Sequence, residues 1–332
     1  MINMMFCSDE GYAPKLAVAL SSLLDSNKEL LKDMHIIIRT NNMTAETVLK
    51  LRTVGTNYGL PEEQLEVVYT EELCKQLEAE KVKKFKNSYM CYFKLFGLDK
   101  LLKDGEERLL IIDCDTLICD SVEPLYHYDL LDRAVGAVKE FPSKYAEHDN
   151  GVEEYNTGVL LWDIKKYCEL ELEKEMKRTI EKIPEEEWKT GDQTVFSLCL
   201  EPMGMVCRLP LRYNFIMNQF AFSYDEFVYI RNIESGSYYA AEEYESARKS
   251  PCIIHLISGM FMVSPWYYEG SRSIKRIWDS YLAGTPWGED MMNLYVHLPV
   301  PFRIERGLLR GIHVVLPIAL SKKIFRRLYS RQ

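Results

Sequence analysis

No stretch of this chain stays apolar for long. The longest run, "IHVVLPIAL" at 312–320, covers nine residues, whereas a spanning helix needs about 20. It can lie at an interface but cannot cross a bilayer. The N-terminus, "MINMMFCSDEGY", has neither the basic nor the apolar region of a secretory leader, so export is not expected. C-x-x-C pairs and zinc-type spacings are also missing. The nine cysteines (Cys7, Cys74, Cys91, Cys114, Cys119, Cys168, Cys199, Cys207, Cys252) are odd in number and scattered, which argues against a disulfide framework and for reduced thiols in a cytosolic compartment. Nor is there an internal repeat or a low-complexity linker. Positive charge is scarce in the body: Asp and Glu number 50 against 41 Lys and Arg, a net −9, and residues 301–332 alone hold eight bases and one acid. The tail is therefore +7 and the remainder −16, a body unsuited to nucleic acid.

A chain of 332 residues with 47% hydrophobic content can bury one large α/β core, with or without a smaller appendage. "INMMFC", "MHIIIR" (34–39), "LEVVYT" (65–70) and "RLLIIDCD" (108–115) read as strands. Between them, helical periodicity runs through Leu16, Ala19, Leu20 and Leu23, through 43–54, through 71–82 and from Ser88 to Leu102. This alternation predicts a mostly parallel sheet with helices on its faces, and such sheets bind ligands outside the carboxyl ends of their strands. "RAVGAV", "NTGVLLW" and "CIIHLI" (252–257) extend the strand set, 163–183 reads as one charged helix, and soft boundaries fall near 250 and 290.

The fourth strand ends in two like charges. Alternation along an extended chain points Asp113 and Asp115 one way and Cys114 the other. Side by side, the carboxylates repel and one pKa rises, so either a hard cation or open solvent must relieve them. An EF-hand loop starting at Asp113 fails, because Ile118 and Pro124 stand where Gly and Glu are required. A haloacid-dehalogenase-like phosphatase also ends a strand in D-x-D, but with Gly-Thr following; here Thr116-Leu117 follows.

Other motifs accompany this pair: "FCSDEGYAPKLAVALSSLL" (6–24), "EEYNTGVLLWDIKKY" (153–167), "GDQTVF" (191–196), "RYNF" (212–215) and "IIHLISGMFMVSPW" (253–266). In this order the chain resembles the family 8 retaining glycosyltransferases, and most closely the bacterial lipopolysaccharide galactosyl- and glucosyltransferases among them. The resemblance spans roughly residues 2–270. It implies an α/β GT-A fold: a Rossmann-like, mostly parallel sheet with helices on both faces, plus a C-terminal helical basic tail. It also implies a catalytic domain over 1–290, with a nucleotide-sugar half to about 120 and an acceptor and donor-completing half beyond.

The resemblance further implies a UDP-sugar donor and Mn²⁺, with Mg²⁺ an alternative, held by Asp113, Asp115 and His255. Oxygen ligands with one imidazole suit either ion, and the cation would stabilise the leaving diphosphate. Donor contacts fall by resemblance on Ser8, Asp9, Tyr12, Lys94, Glu140 and Ser264, and catalytic roles on Asn156, Asp192 and Gln193. Tyr12 would stack on the uracil or pack on the first helix; Asp192 would also cap the helix it opens. Four positions depart from the family pattern: Gly11 replaces Asn, Lys94 an arginine, Glu140 an aspartate, and Ser264 the lysine that meets the donor's β-phosphate. Arg272 and Lys275 are candidates to replace that lost charge. A UDP-sugar-binding protein of low turnover and a D-x-D phosphatase are the alternatives to a hexosyltransferase.

The tail over 291–332 interleaves Arg306, Arg310, Lys322, Lys323, Arg326 and Arg327 with Leu308, Leu309, Ile324, Phe325 and Leu328. Cations beside apolar groups suit an anionic membrane surface, each contributing about 1 kcal/mol near the lipid. A dimerisation arm is the alternative. The expected location is cytoplasmic, peripheral at the inner face of the membrane, where saccharide or lipid-linked saccharide acceptors reside.

Overall fold

The computed structural model describes residues 1–85, 87–102, 106–141, 151–188, 190–234, 236–259, 261–315 and 318–329. Leu316 and Pro317 of the apolar run, and the side chains of Arg310 and Leu328 from the expected tail surface, lie outside the described set.

Among the described residues, ten strands build two sheets. The larger runs in the order β3 (Leu65–Tyr69), β2 (Met34–Thr40), β1 (Ile2–Cys7), β4 (Arg108–Ile112), β7 (Tyr155–Asp163), β6 (Val135–Lys139), β8 (Val206–Arg208). The first four are mutually parallel, β7 runs antiparallel to both neighbours, and β8 is parallel to β6. Chain order reverses between β1 and β4, so their carboxyl ends open a crevice at the switch point. A second sheet joins β5 (Thr116–Ile118), β10 (Ile253–His255) and β9 (Phe215–Ile216), with β10 in the middle.

Both faces of the large sheet are covered, and the strands divide their side chains accordingly. Ile2, Met4, Phe6, Ile36, Ile38, Leu110 and Ile112 pack with α1 (Ala13–Ser26) and α2 (Ala45–Asn57). Met5, Ile37, Leu109 and Ile111 face the other way, onto α3 (Glu71–Ala79), α6 (Leu172–Lys182) and α7 (Asp192–Leu200). The two-sided burial explains why these strands read as unbroken apolar runs. Helix starts carry ordinary signals: Pro14 lies in the first turn of α1, Thr44 caps α2, and Asp163 caps α5 (Ile164–Glu169).

Two helices expected from periodicity are not formed as read. Residues 88–102 contain only a 3-10 turn, Met90–Lys94. The buried Arg39 guanidinium donates to the carbonyls of Phe93 (2.7 Å), Phe96 (2.6 Å) and Gly97 (3.4 Å), taking acceptors that a continuing helix would use. Gly97 then turns at φ +62, a conformation glycine adopts without strain. The charged helix over 163–183 is two helices, α5 and α6, broken where Glu171 takes φ 47. β4 also ends at Ile112, so the aspartates sit on the turn after the strand, not on its pleat.

Small helices and the tail complete the body: α4 (Glu123–Tyr126), α8 (Tyr224–Arg231), α9 (Ala241–Lys249), α10 (Arg272–Ala283), α11 (Met291–Leu294), α12 (Val300–Val315) and α13 (Ile318–Tyr329). The basic tail is thus helical, and it docks on the body. Leu309 and Phe325 are buried, the Phe325 ring meets Phe261 edge-on at 5.0 Å, Lys322 pairs with Glu226 at 3.2 Å, and Arg326 donates to Asn232. Phe302, Ile304, Leu308 and Leu320 stay exposed. Among the described residues, no helix is long and apolar enough to cross a membrane.

Candidate active site

The turn after β4 and the end of β10 converge at the crevice. Ligand atoms of Asp113, Asp115 and His255 all lie within 4.8 Å of one another, with His255 Nε2 3.3 Å from Asp115 Oδ1 and 4.0 Å from Asp113 Oδ2. Backbone bonds hold this convergence. Asp113 N–H donates to Gly158 O and Leu256 N–H to Asp115 O, both at 2.8 Å, while His255 sits opposite Thr116 in the β5–β10 ladder. Cys114 turns away as expected, its thiol donating to Cys7 O at 3.0 Å. A Cβ on Gly158 would stand 2.3 Å from His255 Cε1, so glycine there is what admits the imidazole.

The histidine's tautomer follows from its neighbours. The Gly158 N–H must find an acceptor, and it donates to Asn156 Oδ1 (2.9 Å). Asn214 Nδ2 donates to the same oxygen (2.7 Å), which leaves Asn214 Oδ1 to accept from His255 Nδ1 (3.1 Å). Asn156 Nδ2 in turn donates to Glu140 Oε2 (2.7 Å). With Nδ1 protonated, the lone pair of a neutral His255 lies on Nε2, facing the two aspartates. A metal-binding histidine is oriented in this way by the bond its other nitrogen makes. The donor set of two carboxylates and one imidazole, with its tautomer set from behind, fits a divalent cation.

Lys94 supplies the resident counter-charge. Its ammonium is buried and donates to Asp113 Oδ1 (2.7 Å) and Thr157 O (3.2 Å), with Asp192 Oδ2 at 3.2 Å. Burial works against this charge, but the Asp113 and Asp192 carboxylates hold the Lys94 pKa above its ordinary value. Burial pushes Asp113 up, against the pull of Lys94 and with the push of Asp115. For Asp115 burial also opposes ionisation, yet His255 brings its pKa below the usual carboxylate value. Burial raises Glu140 as well.

The other expected residues lie around this centre. Asp192 accepts from Thr157 Oγ1 at 2.6 Å. It is the first residue of α7 and Gly191 is the cap, so the expected capping role is corrected: Asp192 turns Oδ2 to both Lys94 and Thr157. Gln193 Nε2 donates to Glu154 Oε1 at 2.9 Å. Ser8 and Asp9 follow β1; Ser8 is buried, and Asp9 Oδ1 accepts from Tyr12 N–H at 2.8 Å. Tyr12 is 45% exposed, and the ammonium of Lys15 lies 3.6 Å from its ring centroid. Ser264 is 1% exposed, its hydroxyl bonded to Leu256 O (2.5 Å) and Ser258 Oγ (2.6 Å) within its own loop. Lys275 donates to Pro265 O (2.8 Å) and lies 3.7 Å from Asp279. Sequence reasoning missed Asn214 and Lys15. Asn214 had a signal, since it stands in "RYNF" beside a strand, but its partners come from distant segments.

The crevice at the switch point thus carries a carboxylate pair after β4 and a histidine brought in by a second sheet, on a fold shared with solved glycosyltransferases of the GT-A architecture. Comparison with known proteins agrees. The chain belongs to glycosyl transferase family 8, whose family model matches residues 3–269. General stress protein A of Bacillus subtilis is 19% identical over 292 residues, covering 86% of this chain and 95% of that one. Glycosyltransferase GlyF of Streptococcus pneumoniae is 23% identical over 291 residues, 84% of this chain but 61% of its own length. Among solved structures, the galactosyltransferase LgtC in complex with donor and acceptor sugar analogues superposes with a TM-score of 0.61 at 18% identity, covering 92% of this chain and 100% of that one. The bifunctional glycosyltransferase WbbM superposes at 0.66 and 18% identity, covering 89% of this chain and 51% of that one. These likenesses establish the fold; the family assignment establishes glycosyl transfer and sets the phosphatase reading aside.

Proposed function

We propose that this chain is a retaining hexosyltransferase that moves galactose or glucose from a UDP-sugar to a saccharide acceptor, with Mn²⁺ or Mg²⁺ at Asp113, Asp115 and His255. The observation that carries the reading is the convergence of those three side chains at the crevice, with the His255 lone pair turned toward the aspartates. A cation held there would act as a Lewis acid on the diphosphate leaving group. Ser8 and Asp9 follow the carboxyl end of β1, where a nucleotide would enter, and Tyr12 offers the exposed ring for its base.

The residues around the centre support same-face substitution over a double displacement. Asp192, paired with Lys94 and accepting from Thr157, is a poor nucleophile. Gln193 is neutral and tied to Glu154. What Asp192 can do in that position is stabilise positive charge developing on the sugar.

The tail suits attachment to an anionic inner-leaflet surface and so a lipid-linked acceptor. Phe302, Ile304 and Leu308 stay exposed beside the bases of α12 and α13. A chain ending at Asp290 should then lose sedimentation with anionic vesicles. The deciding experiment is UDP-sugar hydrolysis across UDP-hexoses, with and without Mn²⁺, because hydrolysis needs the donor site but no acceptor. Metal-dependent release of UDP from one hexose donor is expected. Absence of hydrolysis together with absence of Mn²⁺-dependent UDP binding would overturn the proposal.

A further inference from the structure

Several of the groups expected to meet a diphosphate are committed elsewhere. Lys94 is committed to Asp113 and Asp192, Lys275 to Pro265 O and Asp279, and Ser264 to its own loop. Lys15 is different. Its ammonium rests between two rings, 3.6 Å from the Tyr12 centroid and 4.2 Å from that of Trp266. Among the described residues no carboxylate stands within ion-pair distance of it, so its hydrogen-bonding capacity is unspent.

Its position is also unfavourable by ordinary criteria. Lys15 lies in the first turn of α1, where the helix dipole disfavours a cation. Burial lowers its pKa, while Asp115 and Asp9 pull it back up; Lys15 in turn helps to lower Asp115. Geometry places Lys15 at the crevice as well: Tyr12 ends the turn that follows β1, and Trp266 lies in the loop that follows β10. Two aromatic faces can hold an ammonium at modest strength, and an anion arriving in the crevice competes with them directly.

We propose that Lys15 is the phosphate-binding cation of this site, meeting the diphosphate of the nucleotide donor in place of a lysine at position 264. This rests on the UDP-sugar reading above. The Tyr12–Trp266 pair is the resting cradle, and one face of Tyr12 is covered while Lys15 is there.

The test compares uridine and UDP binding by calorimetry, each with and without MnCl₂, in the unaltered chain, Lys15→Met and Lys15→Arg. A lost charge-assisted bond weakens UDP binding by about tenfold to a hundredfold in Lys15→Met, with uridine changed by no more than about twofold and Lys15→Arg recovering most of the loss. Unchanged UDP affinity in Lys15→Met overturns the assignment. Equal loss of uridine and UDP also overturns it, since it would mean that Lys15 serves only to order the aromatic pair. Thermal unfolding of each variant within a few degrees of the unaltered chain shows that the fold is kept; should Lys15→Met fail this, the Lys15→Gln variant takes its place. If the unaltered chain binds no UDP with Mn²⁺, the donor reading itself fails, an outcome separate from a lysine that proves dispensable.

Discussion

Replacing Lys94 with methionine probes the centre without touching a metal ligand. The substitution keeps much of the apolar stem but removes the charge from between Asp113 and Asp192. Side-chain exposure is 10% for Lys94, 26% for Asp113 and 14% for Asp192, so solvent cannot readily take the ammonium's place. Removing one partner of a buried pair costs about 3–5 kcal/mol, because the remaining charge is left uncompensated. Asp192 keeps its bond from Thr157 and Asp113 is partly exposed, which favours the lower end, about 3 kcal/mol. A divalent cation should compensate. In the variant it would take over from Lys94 as the counter-charge nearest Asp113, whereas in the unaltered chain it shares that carboxylate with Lys94. Urea unfolding with EDTA and with saturating MnCl₂ measures both effects; an ion at a hundred times its dissociation constant adds about 2.7 kcal/mol. The stability gap should be wide in EDTA and should narrow with Mn²⁺. A gap below about 1 kcal/mol in EDTA, or one that Mn²⁺ leaves unchanged, would refute this account of Lys94.

Asn214→Leu removes the acceptor of the His255 Nδ1 proton; Mn²⁺ affinity, read by electron paramagnetic resonance, should fall about tenfold to a hundredfold, and no change would show that the relay does not orient the imidazole. Gly158→Ala places a Cβ 2.3 Å from the His255 ring and should abolish Mn²⁺ binding while the sheet's circular dichroism persists. For pH, burial alone would lower His255, but Asp115 and Asp113 hold it above its ordinary value. In the metal-free protein the stabilising contribution is therefore full below about pH 6.5 and fades as pH rises through the raised folded value. Metal uptake needs the neutral ring, so Mn²⁺ affinity should climb over that same window; a flat titration would contradict it. Glu269 is held down to about 2, burial being outweighed by bonds from Leu298 N–H and His297. Its anchoring of the 297–303 segment should persist above about pH 4.5 and be lost as pH falls toward 2, with the onset of proteolysis before α12 as the readout.

Much of the frame was legible because it depends on local pattern. β1, β2 and β4 are buried on both faces, which writes near-continuous apolar runs into the chain, and α1 carries its stripe within one segment. Asp113, Asp115 and His255 were legible as residues belonging together, though the pleat argument for the aspartates gave the correct directions for a turn that is not a strand. The 88–102 segment misled because its helical spacing is real; Arg39, from β2, claims the carbonyls that would have continued the helix. The polarity of Glu140, Asn156 and Asn214 behind His255 was out of reach for a related reason. It depends on which atom of each amide faces which neighbour, and those neighbours come from four separate segments.

The central place of β10 in the small sheet also sets an order of events during synthesis. Asp113 and Asp115 leave the ribosome well before His255, and β5 has no partner until β10 arrives between it and β9. A nascent chain halted between these points carries an unpaired strand edge, a hazard for association with other chains, and two thirds of a cation site. Lys94 is already made by then. Its ammonium can pair with Asp113 before His255 has been made.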